Sequence, residues 1–150
     1  MLNEGLVLIV EDNDDDLFIL QHAFQKAGIT NPVHVARTGK DAIAFLAGAD
    51  PYSDWNRFPL PSIVLLDLKL PDINGLEVLA WIRKTAGLQA LRVAIFTGLC
   101  SSKEVEVAND LRVNGFDIKP ASLGGWTEMM KNFRVHWLES SRTPEVTRMR

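Results

Sequence analysis

Residues 62–79 read SIVLLDLKLPDINGLEVL. The run Ile63 to Leu66 is apolar throughout, with two β-branched residues at its start, and its length suits a buried strand. Asp67 follows at once and begins a loop, Leu68-Lys69-Leu70-Pro71, and a helix is predicted from about Gly75 to Ala86, with Gly87 to end it. A carboxylate therefore sits at the end of a buried strand and at the mouth of a loop. In open parallel α/β sheets, ligands bind outside the carboxyl ends of the strands.

Working outward, the same grammar repeats. Leu6 to Val10 is a buried strand ending in Glu11-Asp12, and Asp14 to Lys26 follows with apolar residues at 17, 18, 20, 23, 24 and 27, the spacing of an amphipathic helix. Asn13 can cap that helix, and Gly28 fits its end. Val33 to Ala36 is a second strand, and Gly39 to Ala47 a second helix. A long connection rich in Gly, Pro, Asp, Ser and Asn, with Tyr52, Trp55 and Phe58 set in it, spans Gly48 to Pro61. A fourth strand, Leu91 to Phe96, leads to Thr97, and a fourth helix covers Ser101 to Asn114. A fifth strand, Phe116 to Ile118, meets Lys119-Pro120, and a last helix runs from Leu123 to Leu138. Five βα units in series predict a parallel sheet with helices on both faces and right-handed crossovers.

The chain has 150 residues, 47% hydrophobic and 23% charged, which suits one domain with a substantial core. A net charge of −3 gives no general reason to bind nucleic acid or an anionic membrane. A single cysteine, Cys100, excludes an internal disulfide and reads as an inert, half-buried thiol. No stretch approaches the roughly 20 apolar residues of a membrane span, and the start lacks a signal pattern, so the expected location is cytoplasmic.

If the strand ends share one edge, Glu11, Asp12 and Asp67 repel one another unless something neutralises them. A hard cation such as Mg²⁺, held by one or two carboxylates, waters and a phosphate oxygen, does so. Asp14, Asp15 and Asp16 read instead as a solvated helix start favoured by the macrodipole. Thr97 before Gly98 can donate to a phosphoryl oxygen, though a strand threonine beside a turn glycine is the plainer explanation. Lys119 at a strand end needs a counter-charge, which the acids supply, and a cis Lys119–Pro120 bond would aim it inward.

Together VLIVEDNDDD at 7–16, VLLDLKLPDINGLEVL at 64–79, AIFTG at 94–98 and GFDIKP at 115–120 resemble the receiver domain of two-component response regulators. The resemblance spans about Leu6 to Leu138. It implies a flavodoxin-like, doubly wound, five-stranded parallel sheet in the order 2-1-3-4-5, flanked by five helices. It also implies that Asp67 is a phosphoacceptor served by a sensor histidine kinase. By the same resemblance Asp12 and Asp67 ligate Mg²⁺, Glu11 acts through a bound water, and the backbone carbonyl of Lys69 is a further ligand. Lys119 and Thr97 hold phosphoryl oxygens, and Thr97 and Phe116 form the switch. Such a protein is not an enzyme in the usual sense; it catalyses its own phosphorylation and dephosphorylation. Lys69 and Leu99 depart from common family choices, and Leu99 is expected to slow phosphoryl hydrolysis by excluding water.

The expected organisation is a receiver over 1–138 and a frayed polar tail over 139–150, too short for an output domain. Arg142, Arg148 and Arg150 in that tail read as a solvated end. Output then falls to protein contact, with no nucleic acid and no membrane, and a homodimer through the face of fourth helix, fifth strand and fifth helix is an expected partner. The long 48–61 connection and the aromatic end of the last helix, Phe133 and Trp137-Leu138, resemble single-domain regulators that partner bacterial phytochromes. Two rivals differ. A haloacid dehalogenase-type phosphohydrolase needs a second acid where Lys69 stands. An unphosphorylated pseudo-receiver, a binding module only, does not need the full set of acids, threonine and lysine.

Overall fold

The computed structural model describes residues 5–139 and 145–149. Its strands are β1 (Val7–Val10), β2 (Val33–Ala36), β3 (Ile63–Leu66), β4 (Arg92–Thr97) and β5 (Gly115–Ile118). Its helices are α1 (Asp14–Lys26), α2 (Gly39–Ala47), α3 (Gly75–Lys84), α4 (Ser102–Asp110) and α5 (Leu123–Phe133). All strand pairings are parallel, in the order β2-β1-β3-β4-β5. This is the flavodoxin-like sheet that the sequence predicts.

Alternation along the strands divides the core into two layers. Leu8, Val10, Val64, Leu66, Val93 and Ile95 face α2 and α3, where Phe45, Leu46, Val78, Leu79 and Ile82 cover them. Val7, Ile9, Ile63, Leu65, Ala94 and Phe96 face α1 and α5, where Leu17, Leu20, Phe24, Trp126, Met130 and Phe133 cover them. Each such side chain contributes about 1.5–3 kcal/mol through burial. That layering fixes the register: a one-residue slip would move every strand side chain into the opposite layer, where it does not fit, and would displace the strand-end acids.

Three helix ends and one peptide bond depart from the predicted pattern. The third helix stops at Lys84 because Thr85 turns to extended backbone, its hydroxyl donating to the Trp81 carbonyl at 2.6 Å. The fourth stops at Asp110; Arg112 adopts φ 55° and the Asn114 carboxamide accepts from the Val93 amide at 2.8 Å, turning the chain into β5. The last helix widens into a π-turn, Arg134–Leu138, closed by a bond from the Glu139 amide to the Arg134 carbonyl, and Leu138 is fully buried there. The cis bond lies at Asp50–Pro51 and not at Lys119–Pro120, which keeps the trans form that most X–Pro bonds favour.

Two arginines act as internal ties. Arg83 is buried and donates to the carbonyls of Gln89, Leu91, Leu111 and Arg112 and to the Asn114 side chain, joining α3 to both ends of the α4 unit. Burial, helped by the nearby Arg112 charge, lowers its pKa, and the carbonyl oxygens carry its charge. Arg148 corrects the frayed-tail expectation. Its guanidinium donates to the carbonyls of Phe45 (2.7 Å), Leu46 (3.1 Å) and Phe58 (2.5 Å) and lies over the rings of Phe45 and Trp55. Phe45 and Leu46 are in the last turn of α2, at the negative end of the helix dipole, so a cation there is well placed. The Thr147 amide donates to the Gly87 carbonyl at 2.8 Å, and a Cβ on Gly87 would lie 2.2 Å from the Thr147 oxygen. Arg142 and Arg150 lie outside the described residues. The 48–61 connection is likewise packed: Tyr52 and Phe58 stand edge-on to Phe45 at 5.1 and 6.2 Å, and the Tyr52 hydroxyl donates to Asp41.

Candidate functional site

The register brings the strand ends together. Val10 lies opposite Leu66, Leu66 opposite Ile95, and Thr97 opposite Ile118. The Asp67 amide donates to the Val10 carbonyl at 3.0 Å and the Lys119 amide to the Thr97 carbonyl at 2.8 Å. Glu11, Asp67, Thr97 and Lys119 therefore occupy adjacent positions along one edge. The loop after β3 closes tightly on this edge: a Cβ on Gly75 would lie 2.3 Å from the Asp67 carbonyl oxygen. Only glycine lets α3 begin so close to the strand. A capping box between Asn74 and Glu77 then fixes its first turn.

Asp67 is 5% exposed. One carboxylate oxygen accepts from the Thr97 hydroxyl at 2.7 Å and from the Lys69 amide at 3.3 Å; the other accepts from the Lys119 ammonium at 2.9 Å. Lys119 also donates to Glu11 at 2.5 Å and to Asp16 at 2.7 Å. The three N–H donors of the ammonium are thus spent on three carboxylates. The second Glu11 oxygen accepts from the amides of Asp12 and Asn13 at 3.1 and 3.2 Å.

When all these groups are ionised, three carboxylates face one ammonium and two negative charges stay uncompensated. Burial pushes the Glu11 carboxyl up to about 7, with Asp67 adding to the rise and Lys119 opposing it. Burial also opposes ionisation of Asp67, yet the bonds from Lys119 and Thr97 hold its carboxyl below the usual range. Burial disfavours the charged Lys119, but its bonds to Asp16, Glu11 and Asp67 outweigh this and raise its pKa. The shared lysine couples the two acids, and the pair wants a proton or a cation near neutral pH.

By position in the sequence, Asp14, Asp15 and Asp16 are all first-turn acids of α1. The structure separates them. Asp14 pairs with Arg37, which also donates to the Asp12 carbonyl, whereas Asp16 reaches Lys119. Asn13 caps α1 through the Asp16 amide at 2.9 Å, which leaves the Asp16 carboxylate free to lean back over the strand edge. No local signal distinguishes it from its neighbours; only the fold does.

The remaining predicted residues lie around this centre. Asp12 follows Glu11 at the β1 end and is partly exposed. The Lys69 side chain is 61% exposed and sits 3.9 Å from Glu104, so only its backbone belongs to the site. Phe116 is half-buried against the α2–α3 layer and lines a cavity of about 590 Å³ running along β5 and α5. Leu99 is 84% exposed, on the loop beyond Thr97. The side-chain donors that border the Asp67 carboxylate on this edge are oxygens apart from the lysine, the set preferred by hard cations. Among the described residues no group of three or more His, Cys, Asp or Glu side chains is arranged to hold a metal ion by itself. That is compatible with Mg²⁺-like cations, which keep several of their waters.

Comparison with known proteins agrees with this geometry. Residues 7–131 match the family model of the response regulator receiver domain. The chain is 32% identical over 139 residues to the probable methanogenesis regulatory protein FilR2 of Methanothrix harundinacea, covering 93% of this chain and 87% of that one. It is 30% identical over 139 residues to response regulator Rcp1 of Synechocystis, covering 93% and 92%; a Mn²⁺-bound structure of Rcp1 superposes with a TM-score of 0.83. The phosphorylated cyanobacterial phytochrome response regulator RcpA superposes with a TM-score of 0.84 at 28% identity, covering 94% of this chain and 98% of that one. A family match across most of the chain, on a fold with the matching strand order, assigns this protein to the response regulator receiver domain family of two-component signalling.

Proposed function

We propose that Asp67 accepts a phosphoryl group from the phosphohistidine of a sensor kinase. The observation that carries this reading is the buried Asp67 carboxylate, held by Thr97 on one oxygen and Lys119 on the other. An Asp67 oxygen attacks phosphorus, the P–N bond breaks, and its electron pair stays on the imidazole, which takes up a proton. The product is an acyl phosphate on Asp67. Because phosphoryl transfer asks mainly for positioning and charge neutralisation, the protein's part is to hold the carboxylate in line and to present Lys119 and Thr97 to the transferred oxygens.

Asp12, Asp67 and the Lys69 carbonyl are the residues that would hold Mg²⁺, with Glu11 acting through a bound water. The excess negative charge and the oxygen-only acid set fit such an ion, and the Mn²⁺-bound form of the similar Rcp1 supports a divalent site. When bound, the ion neutralises the acids and the incoming phosphoryl charge.

Phosphorylation adds about two negative charges and three acceptors. Thr97 leaves Asp67 for a phosphoryl oxygen, its loop moves inward, and Phe116 turns towards the space behind it. The α4–β5–α5 face then changes shape and carries the output by protein contact, including homodimerisation; exposed Ile118 on β5 and the adjoining cavity support this. The receiver spans 1–138, and the described part of the 139–150 extension packs back on it through Thr147 and Arg148. The likeness to RcpA supports a bacterial phytochrome as the cognate kinase. A cytoplasmic location goes with a phosphohistidine donor, and among the described residues no helix is long and apolar enough to cross a membrane.

Incubation with Mg²⁺ and a small acyl phosphate, read by intact mass, tests the reading. Wild type gains one phosphoryl group and Asp67→Asn gains none. Equal modification of both, or of neither, contradicts it.

A further inference from the structure

Asp16 is the acid at this edge with no role in the mechanism above. It stands in the first turn of α1 and bonds the ammonium of a residue 103 positions away, at the junction between β5 and α5. Its side chain is 28% exposed, against 5% for Glu11 and 10% for Lys119, so it forms the outer wall of the lysine's cage. Asp14 and Asp15, its neighbours on the same turn, are exposed and do not contact Lys119.

We infer that Asp16 is a positioning residue for phosphoryl transfer at Asp67, an inference that rests on the function proposed above. The reasoning is geometric. An ammonium on a four-carbon stem is a flexible point charge. Bonds to Glu11 at 2.5 Å and Asp16 at 2.7 Å fix two of its three N–H groups, on two different elements, and the third then points at Asp67. When Asp67 becomes an acyl phosphate, only that third bond has to be remade, to a phosphoryl oxygen. The Glu11 and Asp16 bonds stay, so the cation is already oriented where charge develops. Without Asp16, one N–H turns to water and the ammonium pivots about the Glu11 bond. The same bond ties the first turn of α1 to the β5–α5 junction, so α1 enters the switch region by contact with the reacting site.

Two measurements test this on the full chain with saturating Mg²⁺. The first is the rate of Asp67 phosphorylation by a small acyl phosphate. Asp16→Ala slows it about tenfold, the order expected for losing one charge-assisted positioning bond. Asp16→Asn, which keeps an acceptor but no charge, falls between, and Asp16→Glu recovers most of the rate. Asp15→Ala behaves as wild type. The second is the proton–nitrogen correlation signal of the Lys119 ammonium, visible only when its protons are held from exchange. It is present in wild type and Asp15→Ala and is broadened away in Asp16→Ala, although the backbone spectrum is unchanged. A wild-type rate or a retained Lys119 signal in Asp16→Ala overturns the inference. Failure of wild type itself to be phosphorylated overturns the function proposed above instead, so the two failures are distinct.

Discussion

Glu11→Gln is the substitution whose effect the structure makes most quantitative. Glu11 is 4% exposed and its carboxyl is pushed up to about 7 from the usual 4.5, burial being the main cause. Each pKa unit is worth about 1.4 kcal/mol, so the ionised form costs the fold about 3 kcal/mol. The sign follows from proton linkage. Between pH 4.5 and 7 the unfolded chain has released the Glu11 proton and the folded chain still holds it. Stability therefore falls as pH rises through that window and levels off above 7. Other shifted groups near the site act elsewhere. Asp67 lies below its usual 3.8 and contributes stability that is lost only in stronger acid. Lys119 lies above its usual 10.5, so its contribution persists until strong base. His34, lowered by burial, contributes above 6.5 and loses this as pH falls through its folded value, the opposite slope. It is common to both proteins and cancels in the difference. The assay is urea unfolding with EDTA at several pH values from 5 to 8, followed by the fluorescence of the four tryptophans. Wild type loses about 2–3 kcal/mol relative to Glu11→Gln across this range. Added Mg²⁺ at pH 8 recovers part of the loss in wild type by neutralising the acids. A difference that is flat or rises with pH refutes the electrostatic description of the site.

Other substitutions probe the ties and the loop. Arg83→Ala strands four carbonyls and is expected to destabilise by about 4 kcal/mol in the same unfolding assay, where a loss under about 1 kcal/mol contradicts its role. Arg148→Ala removes the cation from the α2 carboxyl end and costs about 1–2 kcal/mol; hydrogen exchange at the Thr147 amide accelerates while the central strands stay protected, and an unchanged Thr147 rate counts against the docked segment. Leu99→Asn should speed phosphoryl loss roughly three- to tenfold by admitting water once the loop has moved inward, as followed by decay of the phosphorylated protein; unchanged or slower decay contradicts shielding by Leu99.

The sheet was legible because its central strands β1, β3 and β4 are short, largely apolar runs punctuated by polar or glycine signals, and the chemistry was legible because acids, threonine and lysine stand at strand ends. What stayed hidden depended on groups meeting through space. Asp16 differs from Asp15 only by the face of α1 it occupies relative to Lys119. Arg148 reads as a charge in a polar tail, yet the carbonyls it satisfies are some 90 to 100 residues away. Arg83 looks like an ordinary last-turn cation of α3, suited to the helix dipole, but its guanidinium is buried among carbonyls that only the completed β4–α4–β5 unit supplies. Helix ends were misplaced where a side chain, such as Thr85 or Asn114, took over a backbone bond.

The central claim is that the covalent chemistry occurs on Asp67. Reductive trapping of the phosphorylated protein with borohydride, followed by peptide mass mapping, addresses the atom itself, because an aspartyl phosphate is reduced to homoserine while a free carboxylate is not. Conversion is expected at Asp67 alone, dependent on Mg²⁺ and on prior exposure to the phosphodonor. Conversion at Glu11, Asp12 or Asp16, or no conversion in a protein that carries phosphate by mass, would contradict it.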